Sequence, residues 1–355
     1  MNSRRKWGLR GPGLAALSGL ALMAAGCSQS ANQAKAPADY HIYASNEHAG
    51  SLTVIDGKTL SPISTVSVGT RPRGIQAGPH DKELYIALSG SPIAGPGVDE
   101  DKLPPADKSA DGIGVFDIAS GKIMRVITGV SDPEKLAVSK DGKLYITSED
   151  TGMLVIIDIE SGKTLAMLPV GEEPEGIDLT PDGRFAYVTS ESDNEVSIVD
   201  TAAESVVKRI PVGERPRNTA FSPDGIKAYV PGESDGSVTV IDTTRQVALR
   251  TVRLRNGDVR PMGIVVSRDG KTVYVTTGRG GTVLALDGET LAEKKEVAVG
   301  KRPWGLAISP DGKYLFTANG PSNDVSVVDA ATMTVVKQIP AGDGPWGVAV
   351  VPVAK

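Results

Sequence analysis

The chain has 355 residues, 40% of them hydrophobic and 23% charged, so it can bury a sizeable core and its totals do not suggest disorder. Lys and Arg number 38 against 43 Asp and Glu, a formal net charge of -5, and this acidic balance argues against nucleic acid as a partner. The single cysteine excludes an intramolecular disulfide, so stability must come from packing.

The N-terminal residues 1–26 have the pattern of a secretory signal peptide, with a basic start and a short apolar run that ends at Ala25. The run is too short for a membrane span. The small residues before Cys27 resemble a bacterial lipoprotein signal, which predicts lipidation of Cys27; an ordinary signal peptide cleaved nearby is the alternative. Residues 27–38 are small and polar, and we expect a tether between the lipid and the folded domain.

Aromatic residues on one kind of apolar segment mark seven repeats, spaced by 42, 60, 42, 42, 45 and 42 residues. A second register supports the same period, because an aspartate closes a short apolar run such as "VSIVD" in every repeat. The aromatic positions are Tyr43, Tyr85, Tyr145, Tyr187, Tyr229, Tyr274 and Phe316, and the aspartates are Asp56, Asp117, Asp158, Asp200, Asp242, Asp287 and Asp329.

Each repeat contains four segments of strand length with no helical period, joined by turns such as "SPDG". Four short antiparallel strands repeated seven times predict an all-β fold, a seven-bladed β-propeller over residues 39–355. The chain begins with a second, third and fourth strand and ends with a lone first strand, "WGVAVV". We therefore expect the two termini to share one blade and to close the ring.

The stretch "GIDLTPDGRFAYVTSESDNEVSIVDTAAESVVKRIPVG" resembles the YVTN family of β-propeller repeats, which is related in sequence style to the cytochrome d1 and nitrous oxide reductase propellers. The resemblance covers residues 39–352. It implies the propeller fold and an extracellular or periplasmic location, but the family does not imply one function, since propellers host unrelated chemistries.

Function should reside where the repeats differ, and the loops before the first strands carry a P-x-G motif, or its proline alone, with a variable middle residue. These loops should surround one mouth of the central channel. The middle residues predict a charged arc followed by an apolar arc, in the order Arg73, Glu134, Glu175, Arg217, then Met262, Trp304 and Trp346. Tryptophans at such a mouth favour binding, although packing as a channel plug is the alternative.

Arginine also precedes several of these prolines, at Arg71, Arg215, Arg260 and Arg302. Arginine's planar fork suits a carboxylate or phosphate, so we expect an anionic ligand or an acidic partner surface. Glutamates four residues after the marker tyrosine should open on the same face, and they could instead pair with the arginines in a structural ring. These glutamates are Glu47, Glu149, Glu191 and Glu233.

Two further features of this face leave alternatives open. Glu134 and Glu175 belong to an acidic group that could hold a hard cation, but no ligand spacing supports a metal site. The second repeat carries an inserted loop, 89–112, whose four prolines favour a semi-rigid arm over a floppy one; a contact with a partner or a lid and a passive insertion both remain open. Only His48 of the three histidines should reach this face, which argues against a histidine metal cluster, a serine triad or haem, and no cofactor is expected.

Together these features predict a non-catalytic, envelope-tethered monomer that binds an anionic small molecule or a partner protein at the mouth formed by the P-x-G loops. The expected contacts are Arg73, Arg217, Trp304, Trp346 and Met262, with Arg71, Arg215, Arg260 and Arg302 on the rim. The alternatives are a metal-assisted hydrolase of the lactonase kind and an accessory protein of a periplasmic redox system. The membrane is reached only through the N-terminal lipid.

Overall fold

Seven four-stranded antiparallel sheets follow one another around a central channel, each of them one blade. The computed structural model describes residues 39–93, 102–255 and 259–353, so the predicted signal peptide, the predicted lipidation site Cys27 and the whole predicted tether lie outside the described residues. Within the described part, no helix is long and apolar enough to cross a membrane.

The ring closes as the sequence predicts, because the C-terminal strand is the innermost strand of the N-terminal blade. In this blade His41 pairs with Val351 and Tyr43 pairs with Ala349. Blade 1 contains β28 (Pro345–Pro352), β1 (Tyr40–Asn46), β2 (Ser51–Asp56) and β3 (Ser61–Ser67).

The other six blades run from the innermost to the outermost strand in chain order. Their strands are β4 (Pro72–Ala77), β5 (Glu83–Leu88), β6 (Gly112–Asp117) and β7 (Lys122–Ile127) in blade 2; β8 (Pro133–Val138), β9 (Lys143–Ser148), β10 (Met153–Asp158) and β11 (Thr164–Pro169) in blade 3; β12 (Pro174–Leu179), β13 (Phe185–Ser190), β14 (Glu195–Asp200) and β15 (Ser205–Pro211) in blade 4; β16 (Ala220–Phe221), β17 (Lys227–Gly232), β18 (Ser237–Asp242) and β19 (Val247–Arg253) in blade 5; β20 (Ile264–Val266), β21 (Thr272–Thr276), β22 (Thr282–Asp287) and β23 (Glu293–Ala298) in blade 6; and β24 (Pro303–Ile308), β25 (Tyr314–Asn319), β26 (Asp324–Asp329) and β27 (Thr334–Pro340) in blade 7.

The hydrophobic core lies between blades rather than within one of them. Each marker aromatic is buried and joins the apolar residues of the next blade; Tyr229 of blade 5, for example, clusters with Val273 and Leu284 of blade 6. Phe316 of blade 7 packs edge-on against Tyr40 of blade 1, at 6.1 Å between ring centroids. The repeated aromatic therefore fastens neighbouring blades around the whole ring.

The repeated aspartate has a structural role in the turn that follows the third strand. Asp329 accepts hydrogen bonds from the amides of Ala331 and Thr332, at 3.1 and 2.8 Å, and the same pattern recurs at Asp56. Amide donors stabilise the ionised carboxylate, so these bonds lower the pKa of Asp329 and Asp56. These aspartates face away from any shared site and build seven equivalent turns.

Candidate binding site at the channel mouth

The loops that enter the innermost strands turn through an unusual backbone conformation. The residue before the P-x-G proline has a positive φ in five blades, in Arg71, Asp132, Glu173, Arg215 and Arg302. None of these is glycine, and the left-handed region costs an L-residue roughly 1–2 kcal/mol, so the surrounding structure must hold it. The carbonyls of Asp132, Glu173 and Arg215 accept hydrogen bonds from the amides of Glu149, Glu191 and Glu233, at 3.0–3.1 Å. These bonds tie the two loops of a blade together and place the predicted glutamates beside the arginines.

The glycine of the P-x-G motif allows neighbouring innermost strands to approach closely. A Cβ added to Gly176 would lie 2.2 Å from the carbonyl oxygen of Arg217, and one added to Gly305 would lie 2.6 Å from that of Trp346. The hydroxyl of a threonine or serine on the second strand then donates to the carbonyl of the approaching strand. Thr276, for example, donates to the carbonyl of Trp304 at 3.3 Å. The motif is therefore a packing device that fixes where each variable middle residue stands.

Arg73 is 2% exposed, and a set of carboxylates from the next blade surrounds it. Its Nη2 donates to Asp132 at 2.6 Å, its Nη1 bonds Glu134, and Glu149 lies 3.6 Å away. Because the guanidinium is engaged on both terminal nitrogens, Arg73 is an internal counter-ion rather than a free anion receptor.

Arg217, three blades further on, is 5% exposed and is likewise surrounded by carboxylates, here from the preceding blade and its own. It bonds Glu191, and it lies 2.6 Å from Glu233 and 3.2 Å from Glu175. The rim arginines follow the same rule: Arg71 bonds Glu47 at 2.8 Å and Arg215 bonds Glu191. The structural ring of arginines and glutamates, which the sequence left open as an alternative, is present in the charged arc.

The carboxylates of the charged arc outnumber the guanidinium groups that balance them. Burial and the charge of Glu175 raise the pKa of Glu191 to about 8, although Arg217 and Arg215 oppose this shift. Burial, with Glu175 and Asp132 nearby, raises the pKa of Glu149 to about 7. Glu233 behaves oppositely, since Arg217 and Arg215 outweigh its burial and lower its pKa. Near neutral pH, the folded charged arc therefore retains protons that the unfolded chain would already have released.

The apolar arc is built on two stacked tryptophans. The rings of Trp304 and Trp346 lie 5.5 Å apart at their centroids with an interplanar angle of 24°. The guanidinium carbons of Arg217 and Arg302 each lie 5.1 Å from the Trp304 centroid. Trp346 is buried, whereas Trp304 is partly exposed, so the pair combines packing with an accessible aromatic surface.

Most of the predicted contact residues line one cavity of about 1360 Å³ at this mouth. Eleven carboxylate side chains and seven basic side chains border it. The predicted residues on its wall are Arg71, Arg73, Arg215, Arg217, Arg302, Trp304 and Trp346, together with Glu134 and Glu175.

Two predicted contacts are placed elsewhere. Met262 is 1% exposed and does not border the cavity; its backbone carbonyl instead accepts a hydrogen bond from Asn218 at 2.9 Å. Arg260 donates to the carbonyls of Ser234 and Glu233 and also stays off the wall. In contrast, the exposed Arg279 borders the cavity and was not anticipated, because it follows the second strand rather than the P-x-G motif.

The described ends of the insertion 89–112 form part of the cavity wall through residues 91–93 and 103–106. Asp111 anchors the base of this loop by accepting from the amides of Gly90 and Asp132, at 2.7 and 2.9 Å. Lys108 bonds Asp150 of the next blade. The insertion thus raises one side of the mouth, next to the charged arc, as its sequence position predicts.

A smaller cavity of about 340 Å³ lies along the channel and shares the tryptophans with the mouth. Lys135 and Asn218 stand in it at positions where five other repeats have glycine, and Lys135 bonds Asn218. Burial lowers the pKa of Lys135, while it raises that of Asp178 to about 6. Sequence inspection of the middle residues alone misses this polar channel, because its side chains occupy the glycine position and the strand beyond it.

The candidate metal ligands are not brought together in the predicted pair. Among the described residues, the acidic group close enough to share a cation is Asp132, Glu134 and Glu149, with oxygens within 4.8 Å of one another, and Glu175 is not part of it. Arg73 lies against all three of these residues. A guanidinium therefore already lies among these carboxylates and supplies part of the positive charge that a cation would bring.

Comparison with known proteins agrees with this architecture. The Cytochrome D1 heme domain family model matches residues 228–347. A protein of unknown function from Desulfotomaculum acetoxidans has 18% identity over 88% of this chain and 99% of its own, with a TM-score of 0.73. A 6-phosphogluconolactonase-like protein from Bacteroides uniformis has 18% identity, the same coverage and a TM-score of 0.72. Hydrazine synthase from Kuenenia stuttgartiensis has 20% identity over 80% of this chain and 96% of its own, with a TM-score of 0.63. No curated protein matches the sequence.

The residues at the mouth do not fit the haem that the family model's description implies. Haem iron needs an axial ligand such as histidine, and the matched segment 228–347 contains no histidine. His48 borders the cavity, but its side chain is 47% exposed and lies 3.7 Å from Asp343 at the rim. The buried Met262 does not reach the cavity. The chain is a seven-bladed β-propeller, and its residues 228–347 match the family model of the cytochrome d1 haem domain.

Proposed function

We propose that this protein is a non-catalytic binding propeller, tethered to the bacterial envelope through Cys27, that captures a small molecule at the channel mouth. The observation that carries the proposal is the stacked pair of Trp304 and Trp346 on the wall of a concave cavity of about 1360 Å³. A concave site with an aromatic surface and a few fixed charges is what a small ligand needs for burial and orientation.

Binding without catalysis is supported by the state of the acidic side chains. The buried Glu134 and Glu175 are each paired with an arginine, Arg73 or Arg217, so neither is free to act as a base or to share a metal ion with the other. Arg73 and Arg217 act as braces of the charged arc in this proposal. The ligand then contacts the aromatic surface and those charged side chains that Arg73 and Arg217 do not neutralise.

Intrinsic tryptophan fluorescence tests the proposal, because both tryptophans outside the signal peptide border the mouth. The full chain, exported and processed in a bacterial host and extracted in detergent, is titrated with low-molecular-mass fractions of that host's envelope. A saturable change that Trp304→Ala abolishes, with Trp346 as the remaining reporter, supports a ligand at the mouth.

Trp304→Ala could also lose the signal by loosening the site, so Phe316→Leu, in the core of the same blade, is the control for general loosening. That variant should keep the fluorescence response. If no fraction changes the fluorescence of the parent protein, small-molecule capture is wrong, and a protein partner at the rim and the 89–112 insertion becomes the better proposal.

A further inference from the structure

The arginines of the mouth differ in whether a carboxylate balances them. Arg71, Arg73, Arg215 and Arg217 each lie within 4.0 Å of at least two carboxylates. Arg302 and Arg279 have no carboxylate oxygen of any described residue within that distance, although both border the cavity. Free guanidinium capacity at the mouth is therefore concentrated at blades 6 and 7.

The repeat explains why Arg302 is unpaired. In the charged arc, a rim arginine bonds the glutamate that stands four residues after the marker tyrosine of the preceding blade, as Arg71 bonds Glu47 and Arg215 bonds Glu191. The preceding blade offers Arg302 a glycine there, Gly278, and its own blade has Gly320. The repeat therefore places Arg302 at the rim without a glutamate to pair with it.

The electrostatic surroundings of Arg302 favour an incoming anion. Arg302 is partly buried beside the Trp304 ring, and burial together with the like charges of Arg217 and Arg279 lowers its pKa, although the more distant charges of Glu233 and Glu47 oppose this shift. An anion would relieve this repulsion and supply the missing counter-charge. Elsewhere the cavity wall is rich in carboxylates, which repel a negative group and would direct it toward blades 6 and 7.

We propose that Arg302 and Arg279 form the anion subsite of the mouth and hold the carboxylate of an aromatic ligand whose ring lies against Trp304. This inference rests on the proposed small-molecule function and assigns its ligand class. Arginine's planar fork presents two parallel N–H groups to a carboxylate, which makes this contact directional as well as charged. Arg73 and Arg217, the first choice from sequence, already bond carboxylates through both terminal nitrogens.

Three probes with the same phenyl body separate charge from shape: phenylacetate, its neutral isostere phenylacetamide, and the cation phenethylamine. Each is titrated into the full chain and followed by tryptophan fluorescence. Phenylacetate should bind about tenfold more tightly than phenylacetamide, in line with the strength of a charge-assisted hydrogen bond. Phenethylamine should bind more weakly than phenylacetate.

Arg302→Gln should lower phenylacetate affinity about tenfold and leave phenylacetamide affinity unchanged, because glutamine removes the charge that only the acid uses. Arg279→Gln should act in the same direction. Lys301→Gln is the matched control: it removes the same charge from an exposed neighbour on the same loop that does not border the cavity. This control should leave both affinities unchanged.

The outcomes separate this inference from the proposed function. If phenylacetamide or phenethylamine binds as tightly as phenylacetate, the mouth binds small molecules but the anion subsite is wrong. The same conclusion holds if Lys301→Gln reduces affinity as much as Arg302→Gln does. If neither these probes nor the envelope fractions change the fluorescence, both the inference and the proposed function fail.

Discussion

The charged arc and the apolar arc of the mouth are built from the same repeat, yet they treat arginine in opposite ways. In the charged arc, Arg217 is 5% exposed and bonded to Glu191 and Glu233. In the apolar arc, Arg302 lies beside an aromatic ring with no bonded carboxylate among the described residues. The difference teaches that an arginine-rich mouth is not by itself an anion site; the unbalanced arginines are the ones that matter.

Removing a brace should have the largest effect. Arg217→Ala leaves Glu175, Glu191 and Glu233 without their shared cation, and stranding a buried charge costs about 3–5 kcal/mol. Urea unfolding should report a loss of this size. Arg209→Ala, which removes a more exposed pair with Glu195, is the control and should cost less than about 1 kcal/mol. Equal losses from the two variants would mean that the charged arc is not a structural brace.

Disturbing the contact beneath the tryptophans should have the next largest effect. Gly305→Ala places a Cβ 2.6 Å from the carbonyl oxygen of Trp346, so the innermost strands must separate, at about 1–3 kcal/mol in stability. The stacked pair should loosen with them, which near-ultraviolet circular dichroism would detect. Gly320→Ala is the control in the same blade, since its Cβ would meet its nearest atom at an ordinary 3.6 Å. A stable Gly305→Ala protein with unchanged dichroism would contradict the close-approach role of the motif.

How much of this site the sequence can predict depends on how far apart along the chain the interacting residues lie. The turns at Asp329 and the close approach at Gly305 depend on residues within one repeat or on its regular neighbour, so a period of about 42 residues predicts the blades and the mouth. The pairing of Arg217 depends on Glu175 and Glu191, 42 and 26 positions earlier, and on which rotamers fill a shared space. Residue types alone do not determine which carboxylates pair with Arg217.

One informative signal was nevertheless present in the sequence. Gly278 and Gly320 stand where other repeats have Glu47, Glu149, Glu191 or Glu233. Once the ring order is known, this substitution predicts that the rim arginine of blade 7 lacks a partner. The buried position of Met262 was harder to predict, because its motif position is the same as that of Trp304 and only the packing beside Gly278 differs.

The titration of the charged arc should make stability depend on pH, with a smaller effect per pH unit than the removal of a brace. The pKa of Glu191 is raised to about 8 and that of Glu149 to about 7, from an ordinary value of 4.5. Between pH 5 and the raised value the folded protein binds more protons than the unfolded chain, so stability falls as pH rises, by at most about 1.4 kcal/mol per pH unit and group.

Glu191→Gln tests this assignment, because the amide cannot ionise beside Glu175 and Glu233 and can still bond Arg215 and Arg217. Urea unfolding from pH 5 to pH 9 should give a parent stability that falls until the pH passes the pKa of Glu191, about 8, whereas the variant should level off earlier, once the pH passes the pKa of Glu149, about 7. Glu214→Gln, an exposed glutamate in the loop that carries Arg215 and Arg217, is the control and should keep the parent profile. A rise in parent stability over this interval would contradict the sign.

The smallest effect on stability should come from the arginine on which the proposed subsite depends. Arg302→Gln loses the contact with the Trp304 ring but also removes repulsion with Arg217 and Arg279, so the two contributions oppose each other. We expect the free energy of unfolding to change by less than about 0.5 kcal/mol, the range of an ordinary surface substitution. A loss comparable to that of Arg217→Ala would show that Arg302 is also a brace. A negligible loss of stability, together with the loss of phenylacetate affinity, would mean that the repeat keeps this arginine free for a ligand.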